Sequence, residues 1–216
     1  MEVKERIISE AIRLFNKSGF ASVTLFELSQ HLGMSRGNLT YHFKTKDTLL
    51  EAIVDDMLAK MEVQRSKSRQ FPSFENLHNE VQLYFKFQKS YAFIFLDTTI
   101  LNHKKVHRKI QELSIQSISD NKAAIAFAIQ LENMHPEPFP GVYHNIAVTT
   151  WMLAFFWSAQ KKIRNTDEDG EKMIWSLLVP YFTEKGIASF KKFFGTSYYK
   201  ELGASFTFDV NKYISF

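Results

Sequence analysis

Residues 24–46 read TLFELSQHLGMSRGNLTYHFKTK. Thr24 followed by Glu27 three residues on is a capping-box start, in which hydroxyl and carboxylate satisfy two orphan backbone donors at a helix N-terminus. Leu28 and Leu32 fall on one face of that helix, and Gly33 stops it. Ser35 opens a second short helix, with Met34, Leu39 and Phe43 inward and Arg36, Gly37, Asn38, Thr40 and Tyr41 outward. Helix, tight turn, helix is the arrangement that places a reading helix in the DNA major groove. The N-terminal residues of that helix must be small or hydrogen-bonding so that they can approach base edges. Gly37 removes a side chain where the backbone would come nearest the DNA.

Working outward, Ile7, Ile8, Ala11, Ile12 and Phe15 repeat at the spacing of one helix face, and Ser18-Gly19 ends that helix. Beyond the motif, Thr45 can cap a fourth helix whose positive first turn suits Asp47. Leu49, Leu50, Ile53, Val54, Met57, Leu58 and Met61 carry it forward. A polar stretch, Gln64 to Gln70, then Phe71-Pro72, marks a break between sub-regions, with the fourth helix spanning the junction. The periodicity predicts helices over 73–89, 91–102, 104–132, 142–164, 168–185 and 187–202. Pro136, Pro138 and Pro140 force a loop, and Pro180 kinks a helix or marks its first turn. From Ser205 the alternation of Phe206, Phe208 and Val210 suggests a strand or an extended arm. The expectation is an all-α chain: a three-helix helix-turn-helix domain over 1–46, and a helical bundle over 47–216.

Composition narrows the function classes. With 45% hydrophobic residues, the 216-residue chain can bury a substantial core. It has no cysteine, which excludes a disulfide framework, a thiolate metal site and thiol catalysis, and fits a reducing cytosol. The mixed charges of Met1 to Arg6 lack the apolar core of a secretory signal, and the apolar run Ile146 to Trp157 is too short to span a bilayer. These features predict a cytoplasmic protein with no membrane partner. Residues 1–46 hold seven Lys/Arg against four Glu, whereas the rest hold twenty basic and nineteen acidic. The positive excess therefore lies where a nucleic-acid surface would use it. His103 and His107 have an i, i+4 metal-like spacing, but no glutamate completes it and two lysines between them would repel a cation. No nucleophile-elbow, phosphate-loop or dinucleotide glycine pattern is present, so no enzyme, metal or cofactor is expected.

Leu32-Gly33-Met34-Ser35, Gly37, Leu39, Tyr41-His42-Phe43, Thr45-Lys46-Asp47 and Leu49-Leu50 stand in one order, preceded by Ser18-Gly19-Phe20. Over about the first 55 residues this resembles the DNA-binding segment of the tetracycline-repressor-like (TetR) family. Thr40 departs from the pattern, since many members carry tyrosine there. The resemblance implies that Arg36 and Gly37 lie against base edges with Thr40 nearby. It also implies that Thr24, Asn38, Tyr41, His42 and Lys46 hold phosphates, and that Ser35 is first a cap and second a phosphate neighbour. Taken singly, each has an ordinary reading: His42 as a surface or core histidine, Tyr41 packed on Leu39, Arg36 as an exposed charge, Lys44 as a solvated one.

For the remainder the resemblance implies a bundle that dimerises through its last long helices and encloses a small-molecule pocket. Tyr84, Phe87, Tyr91, Phe95 and Phe127 are the pocket candidates, favouring an apolar or aromatic effector. Trp151, Phe155, Trp175, Leu178 and Phe182 are the dimer-interface candidates. The function implied is a homodimeric repressor on a palindromic double-stranded DNA operator, released by a small molecule. The competing class is a helical interaction or scaffold protein that has lost specific DNA binding. Outward Arg36, Tyr41, His42 and Lys46 argue against it, because such a protein has no physical need of them.

Overall fold

Caps and periodicity set the first helices. In the computed structural model, which describes residues 2–202, α1 (Val3–Ser18) buries Ile7, Ala11, Leu14 and Phe15. In α2 (Leu25–His31) the capping box forms as read. The Glu27 backbone N–H donates to the Thr24 hydroxyl at 3.1 Å, and the Thr24 N–H donates to the Glu27 carboxylate at 2.8 Å. Gly33, at φ +63°, takes the left-handed turn that L side chains resist, and aims the chain into α3 (Arg36–His42). The Ser35 hydroxyl caps α3, accepting from the Asn38 N–H at 3.1 Å.

The fourth helix, α4 (Lys46–Gln70), runs 25 residues without a break. Leu49, Leu50, Ile53, Val54, Met57 and Met61 on it are all buried to within 1%. Each such burial is worth about 1.5–3 kcal/mol relative to exposure. They join one continuous core that takes in α1 to α3 and also Tyr84, Phe87, Phe93, Phe155 and Ile174 from later helices. No seam of solvent separates the first 46 residues from the rest.

The later helices are α5 (Phe74–Ser90), α6 (Ala92–Leu96), α7 (Lys104–Gln130), α8 (Val142–Arg164), α9 (Gly170–Leu178), α10 (Glu184–Phe194) and α11 (Thr196–Glu201). The single helix expected over 91–102 is divided. Asp97 accepts from the Thr99 N–H at 3.0 Å and restarts the chain as a 3-10 turn, Thr98–Asn102. The segment expected over 168–185 also divides, because Pro180 sits in a 3-10 turn, Val179–Tyr181, that separates α9 from α10. Gly195, at φ +91°, divides the last expected helix into α10 and α11. Among the described residues there is no strand, only an isolated antiparallel bridge between Met134 and Phe182. The extended arm expected from Ser205 lies outside the described residues. No described helix is long and apolar enough to cross a membrane.

A second core closes the far end, where Phe74 meets Trp175 at 5.6 Å and Phe190 at 5.5 Å between ring centroids. Here the proline loop 135–140 is stitched down. The His135 N–H donates to Tyr181 O at 2.9 Å, and the Thr183 N–H donates to Asn133 O at 3.1 Å. Gly186 makes that approach possible, since a Cβ there would stand 1.9 Å from Asn133 O. Gly186→Ala should therefore destabilise the protein by about 3 kcal/mol, a fall of about 6–12 °C in Tm. Thermal unfolding by circular dichroism would check it, and an unchanged Tm would contradict the packing described.

Candidate nucleic-acid interface and cavity

The exposed face of α3 carries Arg36, Gly37, Asn38 and Tyr41, with Tyr41 83% exposed. His42 is half-buried and meets the Tyr41 ring edge-on at 5.3 Å. The Thr40 hydroxyl turns back into its own helix, donating to Arg36 O at 3.0 Å. Gly37 has an ordinary helical φ, and a Cβ added to it would meet only the Ser35 hydroxyl, at 3.9 Å. Nothing among the described residues requires a glycine at this position.

Two of the residues expected on phosphates are engaged elsewhere. The Lys46 ammonium donates to three carbonyls of the α1–α2 connection, Phe20 at 2.9 Å, Ala21 at 3.2 Å and Val23 at 3.1 Å. It also sits 4.5 Å from the centre of the Phe20 ring. It thereby clamps a loop whose carbonyls would otherwise lack donors. The Thr24 hydroxyl donates to the Glu27 carboxylate at 3.0 Å. The Thr24 backbone N–H holds that carboxylate below the usual acidic range, so a negative charge stands where a phosphate was expected. Lys44, set aside in the sequence reading, follows α3 directly, is exposed, and forms no ion pair among the described residues. Only its place beside the reading helix could have singled it out.

Behind this surface, Phe71 and the residues just after α4 join α5, α7, α8 and α9 around a cavity of about 290 Å³. Of the expected pocket residues, Tyr84 and Phe127 line it. The Tyr84 hydroxyl is hydrogen-bonded to the Ser117 hydroxyl at 2.9 Å, and burial pushes its pKa up to about 12. Phe87, Tyr91 and Phe95 do not line it. They pack in the core nearer the N-terminal bundle, where Phe87 meets Tyr91 at 5.5 Å and Phe95 meets Phe155 at 5.0 Å.

The expected dimer residues also move. Trp151, Trp175, Leu178 and Phe182 line the cavity, and Phe155 is buried in the core. Large rings on α8 and α9 gain more from the protein interior than from an outer face. What α8 presents to solvent is a different stripe, Met152, Phe156 and Ile163, with Ile163 84% exposed. That spacing of four and then seven residues was legible in the sequence, but the larger aromatic rings beside it masked it.

Comparison with known proteins places this geometry. Residues 7–53 match the family model for bacterial regulatory proteins of the tetR family, and residues 52–190 match the model for a bacterial transcriptional repressor. The two models meet inside α4. An uncharacterized HTH-type transcriptional regulator, YerO of Bacillus subtilis, is 51% identical over 49 residues, 23% of this chain and 17% of its own length. The HTH-type regulator QacR of Staphylococcus aureus is 36% identical over 69 residues, 32% of this chain and 37% of its own. The chain thus covers less than two fifths of the length of either of these two relatives. A TetR-family regulator from Marinobacter aquaeolei shares the fold at a TM-score of 0.76 and 20% identity, covering 92% of this chain and 99% of that one. A SmeT–triclosan complex shares it at 0.64 and 18%, covering 84% and 92%. With both models aligned end to end over most of its length, the chain belongs to the TetR family of bacterial transcriptional regulators.

Proposed function

We propose that the chain is a homodimeric repressor that reads a palindromic operator with α3 and releases it when a small molecule fills the cavity. The observation that carries this reading is Gly37. A fold with room for a side chain at an exposed helix position keeps none, beside an exposed Arg36, which is what close approach of an outside backbone demands. Arg36 would read a guanine through its donor fork. Asn38, Tyr41, His42 and Lys44 would hold flanking phosphates. Ser35 would act first as the α3 cap, and Lys46 and Thr24 would order the loop behind the reading helix.

Pairing of two copies would place two α3 helices on half-sites about 34–36 Å apart. The stripe Met152, Phe156 and Ile163 is the surface that would pair them. Coupling between sites would run along α4, roughly 37 Å long for its 25 residues at helical rise. Its first half is locked into the N-terminal core, and Phe71, the residue that follows the helix, walls the cavity, edge-on to Phe127 at 5.9 Å. A ligand that prefers one tilt of α4 would shift the population of reading-head spacings by its differential affinity alone.

Selection of bound sequences from a random DNA pool with the purified protein should enrich a palindrome. A folded dimer that enriches nothing would sink the reading and favour the scaffold class. Gly37→Ala should leave thermal stability equal or higher by up to about 1 kcal/mol, yet weaken operator binding at least about tenfold, or 1.4 kcal/mol. Unchanged affinity would remove the argument from Gly37. Lys46→Ala should lower stability by about 1.5–3 kcal/mol while changing the slope of log affinity against log salt by clearly less than about 0.9. A full loss of that slope at unchanged Tm would return Lys46 to a phosphate.

A further inference from the structure

Among the described residues, the lining of the cavity contains one carboxyl group, Glu80 on α5, and no basic side chain. Behind Glu80 lies a charged cluster shared by α4, α5 and α7. Arg65, only 4% exposed, donates through Nη2 to Asp120 at 2.6 Å and comes within 3.7 Å of Glu62. Arg69 pairs with Glu62 and reaches Asp120 at 3.4 Å. The approach of Arg65 to Glu80 is longer, 3.9 Å through Nε, and among the described residues that Nε has no hydrogen-bond partner. Two arginines thus face three acids, and the short contacts go to Glu62 and Asp120. The acid left without a close counter-ion is the one on the cavity wall.

We infer that the cavity takes a protonated amine carried on a small aromatic body, with Glu80 as its counter-ion. This rests on reading the cavity as the effector site. An ammonium group brings positive charge and hydrogen-bond donors to an acceptor whose nearest cation, Arg65 Nε, stands 3.9 Å away. The aromatic body fits walls built from Phe71, Phe127, Trp151 and Trp175, whose ring faces also favour a nearby cation. A volume of about 290 Å³ suits one or two rings with a short side chain. An anionic ligand would meet Glu80 with no cation in the lining to offset it, and a neutral one would bury that carboxyl further without a partner. Burial already raises the Glu80 pKa above the usual carboxylate range, while the Ser68 hydroxyl and Arg65 pull the other way. The ammonium would stabilise the ionised form. Because Arg65 stands on α4, the amine would also change the surroundings of a side chain on the helix that reaches the DNA-reading bundle.

The test is calorimetric titration of the full chain with three matched probes: naphthyl-ethylamine, naphthyl-ethanol and naphthyl-acetate. The amine should bind about tenfold tighter than the alcohol, the difference of one well-formed charge-assisted contact, and the acid should bind weakest. Glu80→Gln should erase the preference for the amine and leave the alcohol unchanged. Equal binding of amine and alcohol by the native chain, or a preference that survives Glu80→Gln, would overturn the amine assignment and leave the cavity reading standing. Failure of all three probes to bind would overturn both. Should the variant not fold, the amine-to-alcohol ratio of the native protein decides by itself.

Discussion

The structure depends on burial along α4. Its inward side chains from Leu49 to Met61 are sealed in a core that belongs at once to the N-terminal helices and to the later bundle. A close-packed interior transmits displacement instead of absorbing it. The helix runs unbroken from the residues packed on α1 to Gln70, and Phe71, which follows it directly, lines the cavity. The 46/47 boundary drawn from the sequence marks where the helix begins, and the core does not divide there.

Buried polar groups then orient the wall of the cavity. Glu171, 2% exposed, accepts from Gln82 Nε2 at 2.6 Å and Trp175 Nε1 at 2.9 Å, and lies 2.7 Å from His78 Nδ1. A buried carboxylate is tolerated only when its lone pairs are satisfied in this way, and the satisfaction orients Trp175 as a cavity wall. Glu80 is the contrasting case. It lies on the same helix as Gln82 and His78 but on the cavity wall, and its nearest counter-ion, Arg65 Nε, stands 3.9 Å away. In one region of the molecule, a fully bonded acid positions a wall and a poorly bonded one waits on the surface it helps to form.

The candidate site was legible in the sequence to different depths. The reading helix, its cap at Ser35, the turn at Gly33 and the exposure of Arg36 and Tyr41 all follow from residues within four positions of one another. The role of Lys46 did not. A lysine in the first turn of a helix after the motif suggests an anion nearby, yet its ammonium reaches carbonyls more than twenty residues back along the chain. The aromatic rings were misassigned between cavity, core and outer face for the same reason. Periodicity shows that Trp151 and Phe155 share a helix face, and it cannot show what that face meets.

What the sequence by itself determined is therefore local: helix starts and stops, the helix-turn-helix, the proline loop, the balance of charge. Capping, backbone conformation and short-range periodicity are interactions between near neighbours, and neighbours are written in order. Tertiary structure alone decided which aromatics enclose a void and which fill the core. It also decided that α8 shows solvent Met152, Phe156 and Ile163 in place of its largest rings, and that one acid among five clustered charges keeps only a long approach to an arginine. Those outcomes depend on which distant helices compete for the same surface. That competition is settled by packing and charge balance in three dimensions, where distance along the chain no longer counts.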